Sequence, residues 1–467
     1  MTSSAKKTLG LPRKNKRRTS DDDTPVRSGA RVRRAQARTR QRQIDPSAKK
    51  HKSSTETGIP VAKVARHAAP RPAVAPQPQT TPQRTHSAER LPFTLFAPCP
   101  QGLEEVLEQE LKALQFDEVE RLRAGCRFQT DWQGILRANL YSRIATRILV
   151  QIAHAEVRNP DDIYALALDT EWEKWFGPRD RLRVDTSAVR SPMQSLQYCN
   201  LRVKDAICDR LRQREGARPD VDTVRPDAKV HLFLDERTAT LYLDSSGESL
   251  FKRGWRHDKG QAPLRENLAA GLLALSGWQP GQPLIDPFCG SGTILIEAAW
   301  IALNAPAGLN RPFHFERLRN HNPRIWRSLK EKARSEIRPT LETELIGSDI
   351  DPQAIVQAQD NMQRARLAPG NIRFENQSAQ SLLPPAAVGS IVTNPPYGER
   401  LSGAESEFWY QWSTHLKTHY DGWSVNIISS DLELPQHLQL RPDRRFPVYN
   451  GALDCRLFQF EIHGLKP

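Results

Sequence analysis

No run of apolar residues in this 467-residue chain is long enough for a signal-peptide core or a membrane span. A soluble, cytoplasmic protein is therefore the expectation. The six cysteines, Cys99, Cys126, Cys199, Cys208, Cys289 and Cys455, are scattered with no Cys-x-x-Cys pair among them. That spacing supports neither a zinc ribbon nor a disulfide framework, so buried free thiols in a reducing compartment and no metal site are expected. Residues 1–90 hold no Phe, Trp or Tyr at all, and nine prolines. Such a segment cannot bury enough apolar surface to fold, and it reads as a disordered tail.

The net charge of +14 belongs to that tail. Residues 1–90 carry 22 Lys and Arg against 6 Asp and Glu, whereas residues 91–467 carry 46 against 48. Clusters such as Arg13-Lys14-Asn15-Lys16-Arg17-Arg18 and Arg31-Val32-Arg33-Arg34 would add salt-sensitive, sequence-independent attraction to phosphates. A solubilising extension accounts for the same charges equally well.

Periodicity divides the remainder into three parts. Residues 91–158 alternate strand, helix, strand, helix, strand, which predicts a small ferredoxin-like α+β module. Residues 159–250 predict a second α+β module with a helix over 195–213 and a strand pair turning at Glu236-Arg237. That helix carries Arg202, Lys204, Arg210, Arg212 and Arg214, either a solvated face or a surface that docks RNA through phosphates. Residues 251–467 alternate strands and helices as a Rossmann-like, doubly wound α/β domain does. Its connector, Phe251 to Arg256, is placed to fold back over the ligand crevice. Between Arg311 and Arg338 stands an insertion of nine Lys or Arg against three Glu, with Phe313, Phe315 and Trp326 interleaved. Basic residues with aromatics suit looped RNA, and an ordinary helical hairpin docked by its aromatics suits the pattern equally.

Three stretches carry chemistry. The strand entering Asp286-Pro287-Phe288-Cys289-Gly290-Ser291-Gly292-Thr293 is followed by an apolar helix, the strand, glycine turn and helix N-terminus of a ligand-binding crevice. The third glycine of the dinucleotide fingerprint is missing and an acid precedes the turn, which suits an ammonium group better than a pyrophosphate. A second strand ends in Asp349-Ile350, where a carboxylate commonly holds a ribose diol. A third ends in Asn376-Gln377-Ser378, placed to flank an adenine. Lastly, the strand from Ser390 runs into Asn394-Pro395-Pro396-Tyr397. Proline lacks an N–H and biases the residue before it towards extended backbone, so this corner is an array of acceptors. A planar exocyclic NH2 fits it, with the Tyr397 ring offered to the base.

These ordered motifs resemble the class I S-adenosylmethionine-dependent methyltransferases acting on exocyclic amines. With two α+β modules in front, residues 91–467 are similar to the THUMP-domain RNA guanine-N2 methyltransferases. The resemblance implies S-adenosylmethionine as cofactor and N2-methylation of a guanosine in large-subunit ribosomal (23S) RNA. It places the cofactor against Asp286, Phe288, Gly290, Ser291, Gly292, Thr293, Asp349, Ile350 and Ser378, and the catalytic corner at Asn394, Pro395, Pro396 and Tyr397. RNA would be held by the THUMP module, the insertion at 311–338 and the tail. Ser378 stands where the wider class often has an acid, which puts direct adenine recognition there in question. The family's fused form carries a second methyltransferase domain, and this chain stops at Pro467, so one active site is expected. Transfer to tRNA, to adenine or to a protein glutamine stays open, as does a non-catalytic assembly factor that retains the fold. A covalent role for Cys289 is disfavoured by its place in the cofactor turn.

Overall fold

The computed structural model describes residues 92–256, 264–396 and 405–464. The tail expected over 1–90, and Tyr397, lie outside the described residues.

The N-terminal half opens with β1 (Phe93–Pro98), α1 (Glu104–Ala113), β2 (Asp117–Leu122), β3 (Gly125–Thr130), α2 (Trp132–Tyr141) and β4 (Leu149–Glu156). Helix α1 buries Val106, Leu107 and Leu111 at helical spacing, and Asp131 caps α2 by accepting the Gly134 N–H at 2.8 Å. Strand β2 was not legible in the sequence. Of its six residues, Asp-Glu-Val-Glu-Arg-Leu, four are exposed along a sheet edge and Val119 and Leu122 are only half-buried, so no buried face imposes alternation.

The chain continues through α3 (Pro160–Asp169), β5 (Leu182–Ala188), α4 (Leu196–Glu215), β6 (Ala228–Leu234) and β7 (Thr238–Asp244). Strand β7 pairs antiparallel with β4, Leu149 opposite Asp244 through Glu156 opposite Thr238. The two α+β modules thereby share one seven-stranded sheet in the order β2-β3-β1-β4-β7-β6-β5. The cations of α4 are met by carboxylates: Arg202 by Asp161, Lys204 by Asp205, Arg212 by Asp209, and both Arg210 and Arg214 by Glu173. This helix is a neutralised face rather than a block of free positive charge.

The C-terminal half comprises α5 (Glu266–Ser276), β8 (Leu284–Asp286), α6 (Thr293–Ala302), α7 (Pro323–Ser335), β9 (Leu345–Asp349), α8 (Pro352–Arg364), β10 (Arg373–Asn376), β11 (Ser390–Thr393), α9 (Glu405–His419), β12 (Ser424–Ser429), α10 (Leu434–His437), β13 (Arg444–Asn450) and β14 (Leu453–Glu461). Their seven strands order as β10-β9-β8-β11-β12-β14-β13, parallel from β10 to β12 and closed by an antiparallel hairpin. The chain winds from β8 outward through β9 and β10, then returns to β11 on the other side. The switch point, where doubly wound sheets hold ligands beyond the carboxyl ends of their strands, falls between β8 and β11 and brings Asp286 and Thr393 side by side.

The insertion's aromatics follow the second of the two readings that the sequence left open, the docked hairpin. Phe313, Phe315 and Trp326 are buried against one another, with ring centroids 5.0–5.7 Å apart. Arg311 is buried as well and donates to the Ser249 and Glu248 carbonyls at 2.6 and 2.7 Å. Arg317 and Arg319 reach Asp227 and Glu215 of the first half. The aromatics therefore serve as the core of a docking element between the two halves and are not free to stack on bases.

Candidate active site

Asp286 ends β8 in a short run of Leu284, Ile285 and Asp286 that is buried throughout. Its Oδ1 accepts the Thr393 hydroxyl at 2.6 Å and the Phe288 N–H at 3.2 Å. Burial, reinforced by the negative charge of Asp349, pushes this carboxyl up to about 7.

The glycine turn that follows is built backbone-first. Gly290 (φ +50°) and Gly292 (φ +79°) occupy the left-handed region, and a Cβ on Gly292 would stand 2.9 Å from the Phe374 ring. The Gly290 N–H donates to Asp349 Oδ2 at 3.0 Å, so the second-strand acid is already tied to the turn. Asn361 Nδ2 on α8 donates to the Ser291 carbonyl at 3.0 Å. Arg256 supplies the other support. Its guanidinium donates to Thr293 Oγ1 at 2.5 Å, Ser291 Oγ at 3.3 Å, the Leu264 carbonyl at 3.2 Å and Glu266 at 2.9 Å. Arg256 of the connector thus reaches the glycine turn, and residues 257–263, which continue it, lie outside the described residues.

Phe288 leaves the turn towards α9, packing against Phe408, Trp409 and Trp412 at centroid separations of 6.0, 6.2 and 5.2 Å. It forms a wall linking the turn to the helix after the proline corner. Ile350, next to Asp349, is 76% exposed at the lip of the crevice, an apolar surface for a planar ring. Ser378 lies beyond β10, where its hydroxyl accepts the Gln380 N–H at 3.3 Å and serves its own turn. Cys289 is buried, with its thiol pushed well above its usual range by burial and by the negative charges of Asp286 and Asp349. A neutral thiol held there is no nucleophile.

At the end of β11, Pro395 is buried and Pro396 exposed. Asn394 Oδ1 is buried and has no hydrogen-bond partner among the described residues. An acceptor left open next to the Thr393–Asp286 contact can receive an N–H from a ligand. Asp286, Phe288, Gly290, Ser291, Gly292, Thr293, Asp349 and Ile350 thus gather around one turn, with Asn394 and Pro395 just past the end of the adjacent strand β11. The roles of Thr393, Arg256, Glu266 and Asn361 were not assigned from the sequence. Asn361 had a signal there, a polar residue at core spacing after Ile355 and Ala358, whereas the partners of Arg256 are set by a backbone path that composition does not reveal.

Comparison with known proteins matches residues 253–459 to the RMKL-like methyltransferase domain, 94–149 to the RlmL ferredoxin-like domain and 157–244 to the THUMP domain. A Synechocystis sp. protein, named provisionally as an RNA methyltransferase, is 36% identical over 380 residues, 81% of this chain and 98% of that protein. The chain belongs to the THUMP-containing, RMKL-like methyltransferase family. Within it, the ribosomal RNA large subunit methyltransferase K/L of Syntrophotalea carbinolica is 39% identical over 384 residues, 79% of this chain and 54% of that protein. The chain spans about half the length of such K/L relatives. Among solved structures, one given provisionally as a methyltransferase and complexed with S-adenosylhomocysteine superposes with a TM-score of 0.73. It is 27% identical, covering 80% of this chain and 99% of that one. Among the described residues of this RMKL-like methyltransferase, no helix is long and apolar enough to cross a membrane and no cluster of His, Cys, Asp or Glu is arranged to hold a metal.

Proposed function

We propose that this RMKL-like protein transfers a methyl group from S-adenosylmethionine to the exocyclic N2 amine of a guanosine in large-subunit ribosomal RNA. The observation that carries the reading is Asn394 Oδ1, a buried acceptor with no hydrogen-bond partner among the described residues, on the residue next to Thr393, whose hydroxyl meets the Asp286 carboxylate. The residues around the turn fit the cofactor. Asp286 has its Oδ1 engaged and can offer Oδ2 to an ammonium, Asp349 is held at the turn for ribose hydroxyls, and exposed Ile350 suits adenine.

S-adenosylmethionine, when bound, supplies an electrophilic methyl on a sulfonium. The work of the chain is then positioning. Asn394 Oδ1 and the Pro395 carbonyl accept the amine N–H groups, drawing the nitrogen lone pair out of conjugation and aiming it. The guanine must leave its stack to reach this corner. RNA as substrate is supported by the THUMP match and by the names of the K/L relatives. Within the insertion, the exposed arginines of α7, Arg324, Arg327 and Arg334, together with the basic tail, would meet phosphates.

Nucleoside mass spectrometry of ribosomal RNA from a deletion strain tests the reading. Loss of N2-methylguanosine supports it; loss of N6-methyladenosine in its place, or of a methylglutamine in peptide mass spectrometry of the same strain, overturns the base assignment. Failure of the purified protein to bind S-adenosylhomocysteine in calorimetry would overturn the enzymatic reading itself.

A further inference from the structure

We infer that Thr393 is a positioning residue that mechanically couples the cofactor carboxylate to the amine-gripping corner. The inference rests on the methyltransferase reading above.

Thr393 is the last residue of β11 and is fully buried. Its hydroxyl donates to Asp286 Oδ1 at 2.6 Å, across the switch point between two parallel strands. The residue that follows it, Asn394, holds the open acceptor. One hydroxyl thus ties the group that would hold the ammonium to the backbone that aims the substrate amine. Val at the same site would fill the space with the same shape and leave Asp286 Oδ1 with the Phe288 N–H alone.

The contact has an electrostatic consequence as well. A hydroxyl donating to a carboxylate favours its charged form, opposing the burial that raises Asp286. The charged or titratable groups facing Asp286 are Asp349 at the end of β9 and the Cys289 thiol in the turn, and from β11 only the Thr393 hydroxyl reaches it. No cation among the described neighbours offsets its charge, so the Thr393 hydroxyl and the Phe288 N–H are what stabilise the carboxylate.

The test uses the full chain, S-adenosylhomocysteine as calorimetric probe across pH, and turnover on ribosomal RNA. For Thr393→Val, the pH midpoint of S-adenosylhomocysteine binding should move up by about one unit, the worth of a hydrogen bond to a charged group. Turnover at saturating cofactor should fall about tenfold or more, because the corner itself is released. Thr393→Ser, which keeps the hydroxyl, should restore the midpoint and most of the turnover. Thr393→Ala should shift the midpoint as Val does, so the test does not hang on one variant folding. A residue of merely structural importance would lower the melting temperature and leave the midpoint in place, and that result overturns the inference. If the wild-type protein binds no S-adenosylhomocysteine, the methyltransferase reading fails first. If it binds and Thr393→Val behaves as wild type, the coupling alone is wrong.

Discussion

Arg253 and Glu297 meet in the interior as an ion pair, Nε to Oε1 at 3.1 Å, with side chains 1% and 0% exposed. Arg253 belongs to the connector and Glu297 to α6, an otherwise apolar helix behind the glycine turn. The same guanidinium donates to the Leu250 and Arg143 carbonyls, so one side chain joins the two halves of the protein. Removing one partner leaves an uncompensated buried charge. Glu297→Ala should therefore cost about 3–5 kcal/mol in urea denaturation, and Arg253→Met with Glu297→Leu should recover part of it. The unrecovered part reflects the two carbonyls left without their donor and Arg143, whose Nη1 stands 3.8 Å from Glu297 Oε2 and loses that counter-charge.

The two acceptor sites separate by readout. Asn394→Ala should lower turnover about 10²- to 10³-fold, as loss of a transition-state hydrogen-bonding group does, with S-adenosylhomocysteine affinity nearly unchanged. Asp349→Ala should do the reverse, weakening affinity by about tenfold or more through lost hydroxyl contacts and a loosened turn. Equal losses in kcat and affinity at both positions would mean that the roles are misassigned.

Asp286 makes two processes pH-dependent in opposite senses. With its carboxyl raised to about 7 from an ordinary 3.8, the charged form that would attract an ammonium in the proposed role accumulates only as pH climbs through neutrality. Affinity for S-adenosylhomocysteine should rise from pH 6 to pH 8 by about tenfold, and Asp286→Asn should flatten the profile. Folding stability moves the other way. Between the two values the folded protein holds a proton that the unfolded chain has released, so this stabilisation is present at low pH and lost as pH rises towards 7. The slope should approach about 1.4 kcal/mol per pH unit relative to Asp286→Asn, measured by denaturation of the unliganded protein.

Gly292 has both a backbone and a packing reason to be glycine. Gly292→Ala should destabilise the protein by at least about 1–2 kcal/mol from the left-handed backbone alone, with the Phe374 contact adding to it. Trimming Phe374 to Leu in the same chain should return only the contact share. Thermal melting of the single and double variants separates the two.

The insertion aromatics should behave as core. Phe315→Ala is expected to cost about 3–5 kcal/mol of stability while leaving RNA affinity unchanged at temperatures where the variant is folded. Arg324→Ala with Arg327→Ala should do the opposite, weakening RNA binding and reducing its salt dependence with little change in melting temperature. Filter binding at two salt concentrations distinguishes them.

Most strands and helices were legible because each has a buried face that imposes a period, as in the apolar run before Asp286 and the Val106, Leu107 and Leu111 stripe of α1. Polar β2 has no such face and escaped notice. The insertion stayed undecided for a related reason, since Arg and aromatic residues interleave in the same way whether the rings face RNA or each other.

The local sequence by itself determined the glycine turn, the acid before it and the donor-poor corner at Asn394, because glycine, proline and strand-end carboxylates act on the backbone within a few residues. Tertiary structure alone decided that β4 and β7 join two modules into one sheet, that Arg256 and Arg253 brace the turn and α6, and that Thr393 touches Asp286. Those contacts join residues 35 to 107 positions apart within the hydrogen-bonded pairs, and their partners are selected by chain topology and burial, which no local pattern encodes.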